Sequence, residues 1–412
     1  MRRSFLFAIF LLVACDSPSD PVGASNAPFL EEGDGERRIA GRAFAGTEAV
    51  ERIAVRMDPS GVYETDARLA ATKDPSWSSF TTPGGSYGFY NAPLRYDLTF
   101  TRGAEVIVFR DLAFRYLELS IGESAPAQVF RARTRLVAQP APKPGNAVAY
   151  FVAGGEVTGF RPDAATAEAE IDLRQFTTTT TVFAVEYDAT KGIGFASAWG
   201  RSDLSLSANA VVDANLNLVP LTDSPTPLVI DTKVPAGFTV DAIDVVLDFG
   251  ALQSARVIAK IPSGGSVTYT PIPFARPLAR AKATRADGAV SFSPAAFVDP
   301  KAGRLELELP DAPSFVDAPA SATATVLARG EGVHEHLLVP ASGQGTSIRV
   351  VAAQGVVTLP DVTRSGLPAP RGKYLWSVTR WPDLVLPDNL AGREVRALSA
   401  NAKTPPRPID LP

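Results

Sequence analysis

The stretch GSYGFYNAPLRYDLTF, residues 85–100, alternates large apolar side chains with small or polar ones on both sides of a short turn. Alternate side chains of an extended strand face the same way. A hairpin that turns at residues 91–93 would bring the large side chains of its two strands into one core. Those side chains are Tyr87, Phe89, Tyr96, Leu98 and Phe100. The stretch therefore predicts a hairpin in the core of a β-sandwich.

The same stretch resembles the carboxypeptidase regulatory-like domain, which is a transthyretin-type β-sandwich. The resemblance rests on Gly85, on aromatic residues two apart, on an Asn and a Pro at the turn, and on the Tyr-Asp-Leu that begins at Tyr96. Residues 39–43 would match the first strand of that family, whereas Gly84 stands where the family has an acidic residue. The resemblance covers residues 37–137, about a quarter of the chain, and it implies a fold but no activity.

The rest of the chain has the same short-strand character. Residues 106–109 and 182–185 are continuous β-prone runs, and Leu305, Leu307 and Leu309 recur at every second position. The 32 glycines and 35 prolines discourage long helices and imply frequent turns. Short strands with such punctuation predict an all-β fold of tandem β-sandwich domains.

Proline-rich joints at residues 140–144 and 225–227 divide the chain, because proline cannot donate a hydrogen bond to continue a sheet. The predicted sandwiches are 37–137, then 146–222 as a diverged repeat of the first, then 223–310 and 311–412. We expect 37–137 to fold alone, and the last two segments to be close enough to need each other. Segment 311–412 resembles a fibronectin type III-like sandwich near its end, with three side chains on the inner face of a late strand: Tyr374, Trp376 and Val378.

The amino terminus has the features of an export signal. Arg2 and Arg3 precede an apolar run at residues 5–13, which is too short for a membrane-spanning helix of about 20 residues and suits a secretory signal. The following LVAC, residues 12–15, resembles the bacterial lipobox, in which signal peptidase II cuts before a cysteine that carries diacylglycerol. We therefore expect a signal peptide at 1–14, lipidation with palmitate-type chains at Cys15, and a flexible tether over 15–36.

Cysteine usage fits this interpretation. Cys15 is the only cysteine among 412 residues, so the chain forms no internal disulfide and has no other thiol for a metal or a nucleophile. A protein held by two or three acyl chains stays on its membrane. The sequence thus predicts a lipid-anchored protein of the bacterial cell envelope that faces the periplasm or the cell exterior.

Charge and composition restrict the function. A net charge of −4 without a basic run gives no electrostatic footprint for nucleic acid. Two histidines and one acylated cysteine leave any acid–base chemistry to carboxylates. The Gly-x-Ser-x-Gly pattern at residues 84–88 leads into a strand and a proline turn, where a hydrolase elbow needs a helix. The leading hypothesis is therefore a non-enzymatic protein without a cofactor that binds or spaces something in the envelope.

The two histidines, His334 and His336, are a candidate metal-ligand pair because residues two apart on a strand face the same way. A zinc site needs at least one more protein ligand, and the sequence shows none at a ligand spacing. We therefore interpret the two imidazoles as a solvent-facing pair on a strand. A hydrolase or metal enzyme, the third hypothesis, would need a pocket that holds both histidines beside carboxylates.

Tryptophans supply the candidate residues for the second hypothesis, a carbohydrate- or peptidoglycan-binding lipoprotein. Trp376 belongs to the predicted core, whereas three others could form a platform for stacking sugars: Trp77, Trp199 and Trp381. Exposed aromatic platforms mark binding sites. This hypothesis requires that these side chains lie together on one exposed face. The expected partners are the membrane, through the acyl chains, and an envelope protein or polysaccharide.

Overall fold

The computed structural model describes residues 40–44, 50–56, 64–66, 68–71, 77–81, 96–113, 116–120, 130–153, 156–158, 165–173, 179–205, 211–249, 256–316, 325–353, 356–390 and 398–411. Apart from the short 3-10 helices Pro300–Ala302, Val362–Ser365 and Pro387–Leu390, the elements whose bounds it describes are all strands. The all-β prediction is confirmed. Cys15, the predicted signal peptide and tether, Tyr87, Phe89 and the 84–88 pattern lie outside the described residues.

The first sandwich contains strands β1 (Ala40–Phe44), β2 (Arg52–Arg56), β3 (Glu64–Asp66), β4 (Arg68–Ala71), β5 (Trp77–Thr81), β6 (Tyr96–Arg102), β7 (Glu105–Leu112) and β8 (Tyr116–Ser120). One sheet has the order β4-β5-β1-β8, and the strands β3-β2-β6-β7 face it. Tyr96, Leu98 and Phe100 alternate along β6 and are all buried in the core between them, as predicted.

The second sandwich contains β9 (Phe130–Gln139), β10 (Asn146–Ala153), β11 (Glu156–Thr158), β12 (Thr166–Leu173), β13 (Thr179–Asp188), β14 (Ala196–Ser205), β15 (Val211–Asn217) and β16 (Val219–Pro220). Its sheets are β11-β12-β9-β15 and β10-β13-β14-β16, with one core between them. Strand β9 extends across the predicted boundary at residue 137 and pairs along its length with β12 and β15. It belongs by its pairing to this sandwich.

The third sandwich contains β17 (Thr226–Lys233), β18 (Phe238–Asp248), β19 (Arg256–Ile261), β20 (Gly265–Tyr269), β21 (Arg276–Arg285), β22 (Val290–Phe292), β23 (Ala296–Phe297) and β24 (Arg304–Glu308). Strands β20-β17-β24 face β19-β18-β21-β22 across a shared core. The predicted alternation of buried leucines at residues 305–309 is confirmed, since Leu307 and Leu309 are buried and Leu305 packs against the same core.

The fourth sandwich contains β25 (Ser314–Val316), β26 (Thr325–Arg329), β27 (Val333–Pro340), β28 (Ser347–Ala352), β29 (Val356–Thr358), β30 (Gly372–Trp381), β31 (Asn401–Lys403) and β32 (Arg407–Leu411). The small sheet β25-β26-β29 faces β30, β27 and β28. Tyr374, Trp376 and Val378 of β30 are buried together between these sheets, as the sequence predicts.

The first three sandwiches share one strand arrangement. The first strand of each pairs in parallel with a strand from its end: β1 with β8, β9 with β15, and β17 with β24. On its other side the same first strand pairs antiparallel with β5, β12 or β20. The repetition places the start of the second sandwich at β9.

A single described sheet of fourteen strands joins the first, third and fourth sandwiches in the order β19-β18-β21-β22-β31-β30-β27-β28-β7-β6-β2-β3, with β23 and β32 beside it. Strand β7 pairs in parallel with β28, which lies far along the chain. Ile107 and Phe109 of β7 enter the first core, whereas Val106 and Val108 enter the fourth. One strand therefore serves two cores, because each of its faces is covered.

Candidate binding surface

The outer face of sheet β10-β13-β14-β16 carries the one candidate tryptophan that the structure places at least partly in solvent. Trp199 lies on β14 opposite Val185 of β13 and Val219 of β16. Arg201, two residues later, stands on the same face opposite Phe183. Trp199 is half-buried and Arg201 is exposed. The inward residue between them, Gly200, is buried.

Phe274 of the third sandwich lies next to Trp199. It is in the connection between β20 and β21, and 61% of its surface is exposed. Its ring centroid is 5.6 Å from that of Trp199, with the planes inclined by 49°. Its backbone has φ of +64°, which is unfavourable for a bulky L-residue. The chain thus holds a large apolar ring in solvent in a strained conformation, and such strain is typical of functional positions.

Charged groups border these rings. The guanidinium carbon of Arg201 lies 5.2 Å from the Phe274 ring centroid, within range of a cation–π interaction. Arg201 also donates from Nε and Nη2 to the Asp203 carboxylate, which accepts a further hydrogen bond of 2.6 Å from the Thr181 hydroxyl. The Thr181 and Arg201 hydrogen bonds lower the pKa of Asp203, so its carboxylate stays ionised. We call Trp199, Phe274, Arg201 and Asp203 the aromatic patch.

A buried cluster between the second and third sandwiches supports the patch. Phe249 of the third sandwich packs on Phe183 and Phe151 of the second, with ring centroids 4.6 Å apart in both contacts. Tyr269 lies in the same cluster, and its hydroxyl accepts a hydrogen bond of 3.2 Å from the Ile272 N–H. These contacts fix the connection that carries Phe274 against the face that carries Trp199.

The histidine prediction is wrong in its placement. His334 and His336 are completely buried, with 0% exposure, and do not face solvent. Strand β27, which carries them, lies between β30 and β28, and the sheet β25-β26-β29 covers the face that they share with Leu338. The His336 ring stacks on Trp376, with centroids 6.0 Å apart and planes inclined by 13°.

Neither ring nitrogen of His336 has a hydrogen-bond partner within the described part of the chain, and the His334 ring lies near the Gly332 carbonyl. Burial lowers the pKa of His334 to about 4, helped by the charge of Arg380 and opposed by the Gly332 carbonyl. Burial lowers the pKa of His336 to about 3, and the charge of His334 contributes to this shift. Both rings are therefore neutral at pH 7. Among the described residues no third histidine, cysteine or carboxylate joins them in a group that could hold a metal ion.

Of the three tryptophans proposed for a platform, the structure describes the side chains of two, Trp199 and Trp381. Trp381 ends β30, but it is 5% exposed and packs in the first core, so it cannot belong to an exposed platform. Trp77 lies on β5, and its side chain lies outside what the structure describes. Trp199 is accompanied by Phe274 and Arg201, which the sequence analysis did not identify. The sequence contains a feature that could have identified each of them. Phe274 follows two prolines in a short connection, and Arg201 is two residues from Trp199, so the two share a strand face.

Comparison with known proteins gives weak likenesses only. No family model and no curated protein matches the chain. A leucine-rich repeat protein from Bacteroides thetaiotaomicron is 8% identical over 45% of this chain and 26% of its own length, with a TM-score of 0.16. A streptococcal ancillary pilin is 8% identical over 66% of this chain and 99% of its own, with a TM-score of 0.15. A Dscam structure is 10% identical over 83% and 96%, with a TM-score of 0.17.

The scores are too low for any of these likenesses to support an argument. Within the described residues, no helix has the length and apolar character needed to cross a membrane.

Proposed function

We propose that this chain is a lipid-anchored, non-enzymatic binding protein of the bacterial cell envelope, facing the periplasm or the cell exterior. Its anchor is the set of acyl chains on Cys15, and the β-sandwiches present a binding surface away from the membrane. Function in such scaffolds depends on surface residues rather than on the fold. The observation that supports a binding role, rather than a role as a spacer alone, is the aromatic patch with its exposed and strained Phe274.

Two features of the sequence support the anchor. An arginine pair and an apolar run lead directly to LVAC at residues 12–15, and no second cysteine competes with Cys15. The anchor is tested by Cys15→Ser in cells grown with a labelled fatty acid. The expected result is an unprocessed precursor without label. A variant that is still cleaved and still partitions into detergent would overturn the lipoprotein assignment.

Binding is tested with the lipidated chain, purified in detergent and mixed with cell envelopes of a strain that lacks the protein. The same detergent first removes the lipids from these envelopes, so that the acyl chains alone cannot retain the protein. Phe274→Ser should reduce retention on the envelopes, because it removes the exposed ring beside Trp199. Phe297→Ser is the matched control, since Phe297 is 58% exposed and lies on β23, outside the patch. Equal retention of both variants and the parent would favour a spacer instead.

A carbohydrate- or peptidoglycan-binding lipoprotein is the more specific form of this proposal. The pairing of the half-buried Trp199 with the exposed ring of Phe274, bordered by polar side chains, favours it over recognition of a protein partner.

A further inference from the structure

We infer that the aromatic patch binds a polysaccharide of neutral or N-acetylated hexopyranose units, through stacking on Trp199 and Phe274 and hydrogen bonds to Arg201 and Asp203. This inference rests on the proposed binding function and names the class of ligand at the same surface. It uses side chains from two sandwiches, so the site exists only where the two are joined.

The apolar part of the patch fits one face of a sugar ring. A hexopyranose presents C–H groups on its faces and hydroxyls around its edge, so it packs on an aromatic ring while its edge remains polar. An exposed aromatic ring offers a large apolar surface at little conformational cost.

The polar part supplies donors and acceptors beside those rings. Arg201 uses Nε and Nη2 for Asp203, and its Nη1 makes no hydrogen bond to the described part of the chain. The cation–π contact with Phe274 and the ion pair with Asp203 restrict where that guanidinium can move. Nη1 can therefore donate to a hydroxyl oxygen, while Asp203 can accept from a neighbouring hydroxyl.

The charge and geometry of the patch favour a glycan over a peptide. Arg201 and Asp203 neutralise each other, so the surface has no net charge to select an acidic or basic segment. The patch lies on the face of a sheet, where backbone N–H and C=O groups point along the sheet towards neighbouring strands. A ligand on this face meets side chains, whereas an added peptide strand needs a free strand edge.

The position of Phe274 is the second line of support. A bulky residue at φ of +64° is strained, and 61% exposure gives it little burial to offset that strain. Glycine or asparagine would adopt this backbone more easily. A role in contact with a ligand accounts for the ring at this position, because the ligand would cover it in the bound state.

The test measures binding of the full mature chain in detergent to three probes: an N-acetylglucosamine hexamer, a neutral glucose hexamer, and a peptidoglycan stem peptide without sugars. Calorimetric titration gives the Kd for each. We expect at least one hexamer to bind and the stem peptide not to bind. Trp199→Ala and Phe274→Ser should each weaken the hexamer's binding by about tenfold or more.

Two control variants keep the test decisive. Trp199→Phe retains an aromatic face and should keep most of the affinity, and Phe297→Ser should leave it unchanged. Thermal unfolding of each variant separates loss of the site from loss of the fold. The glycan inference would be overturned if only the stem peptide bound. It would also be overturned if neither hexamer bound while envelopes still retained the protein in a manner that depends on Phe274. In both cases the proposed binding function would stand. Hexamer binding that is unaffected by Trp199→Ala and Phe274→Ser would overturn the site.

Discussion

The Gly194 carbonyl accepts two hydrogen bonds from Thr270, one of 2.8 Å from its N–H and one of 3.3 Å from its hydroxyl. Gly194 belongs to the turn before β14, and Thr270 follows β20, so the contact joins the second sandwich to the third. A Cβ atom at position 194 would lie 2.5 Å from the Thr268 carbonyl oxygen. The two backbones are therefore in contact at a point where only glycine fits without a shift.

This contact predicts the effect of Gly194→Ala. The added methyl group must push β20 away from the turn, and overpacking of this kind costs about 1–3 kcal/mol. Because the connection that carries Phe274 follows β20, the variant should also weaken the packing of Phe274 on Trp199. Thermal unfolding measures the first effect, and quenching of tryptophan fluorescence by a soluble quencher measures the second.

Gly192→Ala is the control for that variant. Gly192 lies in the same turn with φ of +88°, and an added Cβ would meet nothing within 4 Å. It should cost about 1 kcal/mol through backbone strain alone and leave the accessibility of Trp199 unchanged. Equal quenching in both variants would show that the Gly194 contact does not position the patch.

Where large side chains alternate with small or polar ones, the sequence was sufficient to predict the strand and its inner face. Tyr374, Trp376 and Val378 recur with a period of two, and that period directly reports which face is buried. The continuous run at residues 106–109 predicted a strand but not its neighbour. A run that is apolar throughout indicates burial on both faces. The cover on the second face of β7 is the core of the fourth sandwich, and nothing local in the sequence specifies a pairing with β28 over that distance.

The candidate site was predictable only in part for a similar reason. Trp199 stood out as a residue type, but its partner Phe274 comes from another sandwich and meets it through tertiary packing. His334 and His336 were predicted to face solvent because the sequence shows no third metal ligand at a suitable spacing. They are buried because β27 is a central strand with neighbours on both sides and a sheet over their face.

Because strand β7 contributes to two cores, the structure predicts which fragments of the chain can fold on their own. The proline-rich joint after residue 137 led us to expect that 37–137 folds alone, but the structure leaves Val106 and Val108 of that fragment without their cover from the fourth sandwich. We now expect residues 37–137 to show no cooperative thermal transition, whereas residues 130–311 should retain one because they keep the cluster between the second and third sandwiches. Circular dichroism against temperature decides this. A cooperative transition of 37–137 near that of the full chain would restore the original expectation.

An ion-pair network between β7 and β28 predicts two substitutions whose effects on stability are coupled. Glu105 of β7 accepts from Arg102 at 2.6 Å and pairs with Arg349 of β28 at 3.2 Å, and all three side chains are largely shielded from solvent. Glu105→Gln removes the negative charge that pairs with both guanidinium groups and should cost about 3 kcal/mol. Adding Arg349→Met should recover part of that loss, because it removes one unpaired charge.

Chemical denaturation of the single and double variants measures that coupling. Glu308→Gln is the matched control, because its ion pair with Lys233 is exposed and screened by solvent, so no measurable change is expected. If the two substitutions at Glu105 and Arg349 are simply additive, the network does not contribute as a unit.

The buried histidines predict a loss of stability in mild acid. Their pKa values are lowered in the folded state to about 4 and about 3, against about 6.5 in an unfolded chain. The folded state therefore binds fewer protons than the unfolded state between these values, and stability falls as the pH drops below about 6.5. Each histidine should contribute about 1.4 kcal/mol per pH unit until the pH nears its folded pKa.

Urea unfolding between pH 7 and pH 5 isolates this effect, because the chain has only these two histidines and most carboxylates titrate lower. The parent should lose about 4 kcal/mol over that interval. His336→Leu should halve the slope, since leucine fills a similar volume and carries no proton, and His334→Leu with His336→Leu should remove it. Both variants should also be more stable than the parent at pH 5, because apolar groups replace two buried ring nitrogens in the single variant and four in the double variant. A parent with constant stability from pH 7 to pH 5 would mean that the two imidazoles reach solvent in the folded protein.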